Sequence, residues 1–464
     1  MSIMSAIRSG VVQGFRDLAS RAESRVEVSN PSKVVGNDLV NGDVNILHLS
    51  IYKSQAVYDL KSQVTEIHIY ESIVSPVMFC TMTFADAINL RDDFKIKEDD
   101  IVKFVFQTPG TSQSNEYFLQ VNRIFNKRDV PGLTMKVYDV ELISVEGTVA
   151  ENVPMGDFRL EDNSGTLIER IVTDYITPPV QGLVGGEYGR RPQRLAIDRG
   201  NGIISKNEKQ VKVLRDQNRR PFEVIHQLAL LTNRSPEGHS LYTFFERKDG
   251  YYFKPIEWLM SDGKKKLRDD QSDAIFFYDN LRNQNQSAVK FRNILAYNVS
   301  SSGNLAEGRA AGVNTIAVTT NPQTGENTIP ARVGGFTGIA ELTSAEALRA
   351  FDVVTRSENI TSTEFTHLNE VLVSRRELLF RISQYEAQIM VYGDSNISVG
   401  DVIECQFPRS ISTSRESSDP HGGSELSDDS GYYLITHLRH MILNTDRPQH
   451  VISCNLMRAE PERS

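Results

Sequence analysis

His437 and His440 are the closest pair among the nine histidines, so they are the first candidates for a metal site. Imidazole nitrogens are common ligands of zinc and other transition metals. The residues around them alternate in polarity as a β-strand does, and strand residues an odd number apart point to opposite faces. The pair therefore predicts no shared metal site. His68 and His226 have no His or Cys at ligand spacing, so we expect them to have structural or surface roles.

Acidic side chains offer a second route to chemistry, because many glycosidases use two carboxylates. Two of the three residues Glu146, Glu151 and Asp162 could form such a pair. The chain contains 60 Asp and Glu residues, however, so carboxylates lie near one another by chance. The sequence has no G-x-S-x-G nucleophile elbow and no G-x-x-x-x-G-K-[ST] phosphate loop. We therefore predict no catalytic residues and no enzyme activity.

Binding groups are equally sparse. The glycines between residues 182 and 189 lack the G-x-G-x-x-G spacing and predict a flexible loop. The basic run 264–266 follows Asp262-Gly263 and predicts a solvated turn, with a phosphate contact as the alternative. The single tryptophan, Trp258, offers little surface for stacking on a sugar.

Cys80, Cys405 and Cys454 are widely spaced, and each lies in a strand-like segment. They form neither a C-x-x-C pair for zinc nor an even disulfide framework. This pattern predicts buried free thiols, which suits a reducing compartment. No metal and no cofactor are predicted.

The composition is that of a folded protein. The 464 residues are 39% hydrophobic and 24% charged, enough for roughly two to four domains. The net charge of −9 argues against a basic surface for nucleic acid or anionic membranes. The chain begins without an apolar signal sequence and has no run of about 20 apolar residues. We expect synthesis in the cytoplasm and no stable membrane insertion.

The strongest structural pattern is a predicted hairpin over residues 64–86, turning at Ser75-Pro76. Its strands alternate, with Thr65, Ile67, Ile69 and Glu71 on one face of the first strand. The second strand is predicted to place Met78, Cys80, Met82 and Phe84 together.

The rest of the chain divides by its periodicity. Residues 1–45 predict an N-terminal arm and linker, with either a docking helix or a frayed tail over 1–25. Residues 46–149 predict a first tube-like β-barrel domain, with further strands at 101–107, 117–125 and 133–145.

Residues 150–285 predict an α+β insertion domain. A helix begins at Ser164 and is expected to end before Pro178, where a long exposed connection to residue 220 begins. A second helix begins at Pro221, followed by a hairpin that turns at Asp249-Gly250.

Residues 286–458 predict a second tube-like β-barrel domain with an inserted loop-rich segment and a helix over 364–383, and residues 459–464 predict a tail. Its strands are predicted at 289–299, 316–319, 385–392, 401–407, 432–442 and 450–457. Residues 321–360 are too irregular to assign, and residues 409–430 predict a mobile excursion. The predicted fold class is therefore β-rich α+β.

Four groups of residues, in this order, resemble the central baseplate hub protein of contractile-tailed bacteriophages, whose relatives include the hub portion of type VI secretion spike proteins. The residues are Ile69-Tyr70-Glu71-Ser72 through Ser75-Pro76 to Phe84-Ala85-Asp86-Ala87-Ile88-Asn89-Leu90; Arg220-Pro221-Phe222-Glu223-Val224-Ile225 with Leu228-Ala229, Phe244-Phe245-Glu246 and Gly250-Tyr251-Tyr252-Phe253; Gly393 with Ile397-Ser398-Val399-Gly400-Asp401-Val402-Ile403 and Phe407-Pro408; and Ser430-Gly431-Tyr432-Tyr433-Leu434-Ile435 with His440 and a last strand to Arg458. The resemblance covers roughly residues 46–458.

The resemblance implies a structural role. Hub proteins of this kind form a homotrimer in which each chain supplies two tube-like β-barrels, so that six barrels continue the six-fold tail tube and a three-fold spike docks below. The implied partners are the central spike protein, tail tube or tube-initiator proteins and other baseplate proteins. The resemblance also implies that the protein forms part of a DNA channel, without specific nucleic-acid recognition, and that it is located in the virion. The alternatives are a tail-tip peptidoglycan hydrolase and a peripheral carbohydrate-binding baseplate protein.

Overall fold

A computed structural model provides the structure of the chain. It describes residues 42–184, 194–197, 211–232, 241–277, 293–301, 315–320, 327–328, 352–357, 385–407 and 427–458, apart from short gaps at 54–55, 99, 110–113, 130–134, 157, 163, 216–218, 270–274 and 428. The predicted N-terminal helix, the predicted helix over 364–383, the tail and most of the excursion at 409–430 lie outside these residues.

Strands make up most of the described structure. They are β1 (Asn45–Lys53), β2 (Ala56–Asp59), β3 (Val64–Ser72), β4 (Phe79–Asp86), β5 (Ile101–Gln107), β6 (Ser114–Asp129), β7 (Lys136–Ser144), β8 (Phe158–Asp162), β9 (Arg194–Ile197), β10 (Val211–Arg215), β11 (Tyr242–Arg247), β12 (Gly250–Pro255), β13 (Ile275–Phe277), β14 (Ile294–Ser301), β15 (Thr315–Thr320), β16 (Asn327–Thr328), β17 (Asp352–Ser357), β18 (Tyr385–Tyr392), β19 (Val402–Gln406), β20 (Gly431–Leu443) and β21 (Gln449–Arg458).

The helices are few and short. They are α1 (Leu90–Asp93), α2 (Val145–Asn152), α3 (Ser164–Ile171), a π-helical turn (Val172–Ile176), α4 (Thr177–Val184), α5 (Pro221–Leu231) and α6 (Ile256–Asp269). Among these described helices, none has the length and apolar character of a membrane span.

Thirteen strands form one large curled sheet, which confirms the β-rich α+β fold class. Its main path runs β14-β18-β21-β20-β3-β4-β7-β6-β5-β1-β2, and all neighbours along this path are antiparallel. β19 pairs with β20 and, in parallel, with β13. Strands from both predicted β-barrel regions therefore belong to a single hydrogen-bonded sheet.

The predicted hairpin over 64–86 is confirmed as β3 and β4. Ile67, Ile69 and Glu71 are buried on one face of β3, as their alternation predicted. The predicted place of Thr65 on this face is wrong: Thr65 is exposed, because a β-bulge between Val64 and Glu66 shifts the alternation by one residue. The apolar face of β4 is buried from Cys80 through Phe84. This hairpin joins the two halves of the large sheet.

The sheet contains an internal repeat. In the first repeat, defined as β3 to β7, the strand order is β3-β4-β7-β6-β5. In the second repeat, defined as β14 and β18 to β21, the order is β14-β18-β21-β20-β19. Each repeat uses its five strands in the same chain order, with the same antiparallel pairings, so the two repeats share one topology.

Three groups of buried side chains form the core. One fills the first repeat and includes Phe104, Phe106 and Ile442, the last contributed by β20. Another fills the second repeat and continues into α6. The third lies among α2 to α5 and the β11–β12 hairpin. Burial of apolar surface of this extent supplies the main stabilisation of each region.

The predicted end of the Ser164 helix before Pro178 is wrong. The chain remains helical to Val184 because a π-helical turn intervenes, in which the Thr177 N–H donates to the Val172 carbonyl five residues earlier. Pro178 then lies in the first turn of α4, where an N–H group is not required.

Two further expectations are corrected. The connection 178–220 is not wholly irregular, because β9 pairs with β12 and β10 pairs with β8. The basic run 264–266 is not a turn but part of α6. Gly263 lies within this helix, where a Cβ would come within 2.4 Å of the Val402 side chain, so only glycine permits this close approach.

Candidate functional site

The two repeats meet where β3 pairs with the second half of β20. The register places Leu438 opposite Glu71 and His440 opposite Ile69. The first half of β20 pairs on the same side with β19. One edge of β20 therefore serves both repeats, which fixes their relative position through backbone hydrogen bonds.

A buried polar cluster lies at this junction. His440 Nδ1 and His450 Nε2 are 2.9 Å apart, and both rings are fully buried. His440 Nε2 lies 4.0 Å from Glu71 Oε1, to which the Tyr117 hydroxyl donates at 3.4 Å. The ring of Phe106 packs edge-on against both imidazoles. The cluster therefore lies inside the first repeat, between apolar side chains.

Burial decides the protonation of this cluster. It lowers the pKa of His450 to about 3 and, together with the neighbouring His450 and Lys248, lowers the pKa of His440 well below its ordinary value. It also raises the pKa of Glu71 to about 7, although Lys248 and Arg247 partly oppose this shift. Both imidazoles are therefore neutral at pH 7, and the approach of His440 to Glu71 is not an ion pair there.

The histidine pair was missed because His450 is ten residues from His440 in sequence. The two strands run antiparallel, and Ile442 pairs with His450 across the ladder. Gly393 provides the room, since a Cβ there would meet the His450 ring at 2.0 Å. A glycine directly after the last residue of β18 is too weak a signal to have revealed this contact.

The predicted separation of His437 and His440 is confirmed: His440 is buried and His437 lies on the opposite, exposed face of β20. His68 contacts Glu66 and Arg439 at the surface of the sheet. Across the residues that the structure describes, no group of three His, Cys, Asp or Glu side chains is arranged to hold a metal ion.

The candidate carboxylates are separated by their elements. Glu146 and Glu151 lie on α2, and Asp162 ends β8. Glu146 is buried, whereas Glu151 forms an ion pair with Arg220. The three cysteines are free and buried, as predicted, and burial raises the pKa of the Cys454 thiol to about 12. Such a thiol is not a nucleophile at neutral pH.

The repeats correspond in detail. The third strand of each repeat in chain order, β5 or β19, follows an aspartate, Asp100 or Asp401. The carboxylate of each aspartate accepts a hydrogen bond from the backbone N–H three residues earlier. The carbonyl of each aspartate accepts from the long strand, from Val121 in the first repeat and Ile435 in the second. Two equivalent turns therefore place the third strand of each repeat against the long fourth strand.

Even the irregularities recur. The bulge between Val64 and Glu66 in β3 corresponds to the bulge between Ile294 and Ala296 in β14. The bulge after Val121 in β6 corresponds to the one after Ile435 in β20. Because bulges set strand direction and twist, the two repeats curl in the same way.

The β11–β12 hairpin fastens the helical region to the second repeat. The Arg247 guanidinium contacts Asp401 at 3.0 Å and Asp249 at 3.2 Å, and Lys248 donates to the Ser395 carbonyl. The Glu246 carboxylate accepts from the Met78 N–H at 3.0 Å on the first repeat. One hairpin therefore bridges both repeats.

Comparison with known proteins gives structural neighbours only. No family model matches the chain, and no curated protein matches it. The tail protein from Neisseria meningitidis MC58 aligns with a TM-score of 0.48 and 7% identity, over 89% of this chain and 96% of that one. The 43 kDa tail protein of prophage MuSo2 from Shewanella oneidensis aligns with a TM-score of 0.47 and 8% identity, over 89% and 96%.

A chain of the Francisella PdpA-VgrG complex aligns with a TM-score of 0.46 and 10% identity, over 100% of this chain and 64% of that one. The chain is thus similar in structure to phage tail proteins and to a chain of a VgrG complex.

Proposed function

We propose that this protein is the structural hub of a contractile phage-tail baseplate, a homotrimeric adaptor between a six-fold tail tube and a three-fold central spike. The internal repeat is the observation that carries the proposal. Three copies of a chain with two equivalent repeats present six equivalent units, so one ring can match both symmetries. A repeated head-to-tail contact forms a closed ring when its rotation closes.

The domain organisation follows from this role. Residues 46–149 and 286–458 form the two ring units, residues 150–285 form the α+β insertion, and residues 1–45 form an arm for neighbouring tail proteins. The central spike, the tail tube or tube-initiator proteins and other baseplate proteins are the proposed partners. The assembled hub lies in the virion and encloses part of the DNA channel. The acidic chain, with a net charge of −9, suits a passage that does not bind phosphates.

The assembly is tested by light scattering and electron microscopy of the purified protein, alone and with its spike. We expect three times the 52.2 kDa mass of the chain and ring-shaped particles with a central channel. A monomer in both samples contradicts the proposal.

A tail-tip hydrolase and a carbohydrate-binding protein are the alternatives. The described polar cluster is buried behind Phe106, so its imidazoles are not presented to a substrate. We expect no turnover of peptidoglycan, ester or phosphoester substrates by the full chain. Turnover that is lost in a single Asp, Glu or His variant contradicts a purely structural role.

A further inference from the structure

β14 is an unprotected sheet edge. It pairs with β18 on one side and ends the path of the large sheet on the other, as far as the described strands extend. Its sequence, Ile-Leu-Ala-Tyr-Asn-Val-Ser-Ser, contains no charge and no proline. Natural proteins usually protect an edge with Lys, Pro or a very short strand. β2, at the other end of the described main path, is four residues long and ends in Asp59, so of these two end strands β14 alone lacks such protection.

A second open edge lies along β6. Residues 114–120 of β6 pair with β5, but no described strand pairs on that side with residues 122–129. The same stretch pairs with β7 on its other side, so its backbone is already extended. Ile124 and Phe125 are only half-buried there.

The β3–β20 junction within the chain shows which strand can pair with such an edge. β20 is the counterpart of β6, and β3 is the counterpart of β14, by the shared strand order and the shared bulges. In the chain, the second half of β20 is filled by β3 of the other repeat. Residues 122–129 of β6 are equivalent to the second half of β20, and β14 is equivalent to β3. Unlike β20 and β3, these two segments do not pair with each other within the chain.

Burial supports the comparison. Ile67 and Ile69 of β3 are fully buried at the internal junction. Their counterparts on β14 are Tyr297, which is 38% exposed, and the half-buried Val299. Leu438 of β20 is buried, whereas its counterpart Ile124 is half-buried. A strand paired at these edges would complete the burial that the internal junction already has.

We infer that β14 of one copy pairs antiparallel with residues 122–129 of β6 in the next copy, so that the sheet continues from chain to chain. Transferring the register of β3 on β20 places Ser301 opposite Ile124 and Ser300 opposite Phe125 of the neighbouring copy. The contact is head-to-tail, so its repetition forms a ring when the rotation closes after three copies, and it does not form a two-fold dimer. This inference rests on the proposed trimeric hub and assigns the contact between its copies.

Two double-cysteine variants test the register, Phe125→Cys with Ser300→Cys and Ile124→Cys with Ser301→Cys. Neighbouring antiparallel pairs alternate between the hydrogen-bonded and the closer, non-hydrogen-bonded type, so at least one pair is spaced for a disulfide. After mild oxidation, we expect covalent trimers on denaturing, non-reducing gels. The native cysteines are buried and do not interfere.

Matched controls separate register from chance. Phe125→Cys with Ala296→Cys moves the second thiol four residues along β14, about 13 Å away, and should not cross-link. The single variants Phe125→Cys and Ser300→Cys should remain uncoupled. Hydrogen exchange of the unmodified protein gives a second measurement, in which amides of 122–129 and of β14 gain protection on assembly.

The possible outcomes distinguish failure of the edge pairing from failure of the hub proposal. A trimer by light scattering with no cross-link in either designed pair, and no gain of protection at these two strands, overturns the edge pairing and leaves the hub proposal standing. Dimers from Ser300→Cys alone show a two-fold contact between β14 strands and also overturn it. A chain that stays monomeric even with its spike overturns both proposals.

Discussion

The two repeats of the large sheet share their strand order and bulges but differ in what fills them. The first contains a stack of aromatic rings, Phe104, Phe106 and Tyr117, beside the buried histidine pair. In the second, the position equivalent to Phe104 is Cys405, and α6 closes the core. Backbone pairing and bulge positions therefore define the common topology, while the interior volume can be filled by different side chains or by an added helix.

The repeats also differ in how the third strand is flanked. β5 is covered by the antiparallel strand β1, which carries β2 beyond it. β19 is covered by the short parallel strand β13. The same five-strand unit therefore accepts different additions on one edge, whereas the edge of the long fourth strand remains available for joining repeats.

The largest expected difference between the repeats is in pH dependence. The pKa of His450 is about 3 in the folded chain and 6.5 in the unfolded chain, because burial disfavours the charged ring. Between these values the unfolded chain binds a proton that the folded chain does not, so stability is lost as pH falls through this window. We expect His450, which lies on β21 but packs into the core of the first repeat, to account for about 4–5 kcal/mol of lost stability across this pH window.

Glu71 acts in the opposite sense. Its pKa is about 7 when folded and 4.5 when unfolded, so the folded chain binds the extra proton and stability falls as pH rises between these values. The free energy of unfolding should therefore be measured by denaturant titration from pH 3 to 7. In His450→Gln it should fall less steeply as the pH is lowered than in the unmodified protein. In Glu71→Gln it should be higher than in the unmodified protein near pH 7. Cys405→Ala in the second repeat is the control. If the free energy of unfolding of His450→Gln depends on pH as steeply as that of the unmodified protein, His450 is not the source of the low-pH loss.

Truncation of equivalent interior residues should give the next largest contrast. Phe104→Ala removes a fully buried ring from the aromatic stack and should cost about 3–4 kcal/mol in the free energy of unfolding. Cys405→Ala, at the equivalent position, removes one buried sulfur and should cost about 1 kcal/mol. Equal losses measured by denaturant titration would show that the two interiors are filled alike.

The duplicated aspartates test the turns. Asp100→Ala removes a cap on the Lys97 N–H and should cost about 1 kcal/mol. Asp401→Ala removes the equivalent cap on Ser398 and also leaves the largely buried Arg247 with one carboxylate partner fewer. A charged hydrogen bond raises the expected cost to about 2–3 kcal/mol. If Arg247→Met, which removes the charge, abolishes this excess, the difference belongs to that ion pair.

The smallest effect concerns the helix that only the second repeat has. Gly263→Ala forces a methyl group against Val402 and should cost about 1–2 kcal/mol. Lys266→Ala, one turn away on the exposed side, breaks only a surface pair with Asp262 and should cost less than about 0.5 kcal/mol. A thermal melt in which both variants behave alike would show that α6 does not pack closely on the second repeat.

Local patterns in the sequence predicted local structure well. The alternation of β3 from Ile67 onward and of β4, the start of α5 at Pro221 and the turn at Asp249 were placed correctly, because each depends on residues close together in the chain. The end of the Ser164 helix was wrong because the π-helical turn that accommodates Pro178 depends on a register that no single residue type announces.

Distant pairings were decided by the tertiary structure. Nothing in the sequence of β20 specifies that β3, over 300 residues earlier, lies beside it, because any extended strand offers the same backbone donors and acceptors. The His440–His450 contact and the close approach of Gly263 to Val402 follow from such pairings.

The sequence by itself determined the β-rich class, the faces of the main strands and the burial of the three thiols, because polarity and period act locally. The tertiary structure decided that both β regions join in one sheet with two equivalent repeats, because the choice of neighbouring strand depends on shape, twist and the bulges that align them.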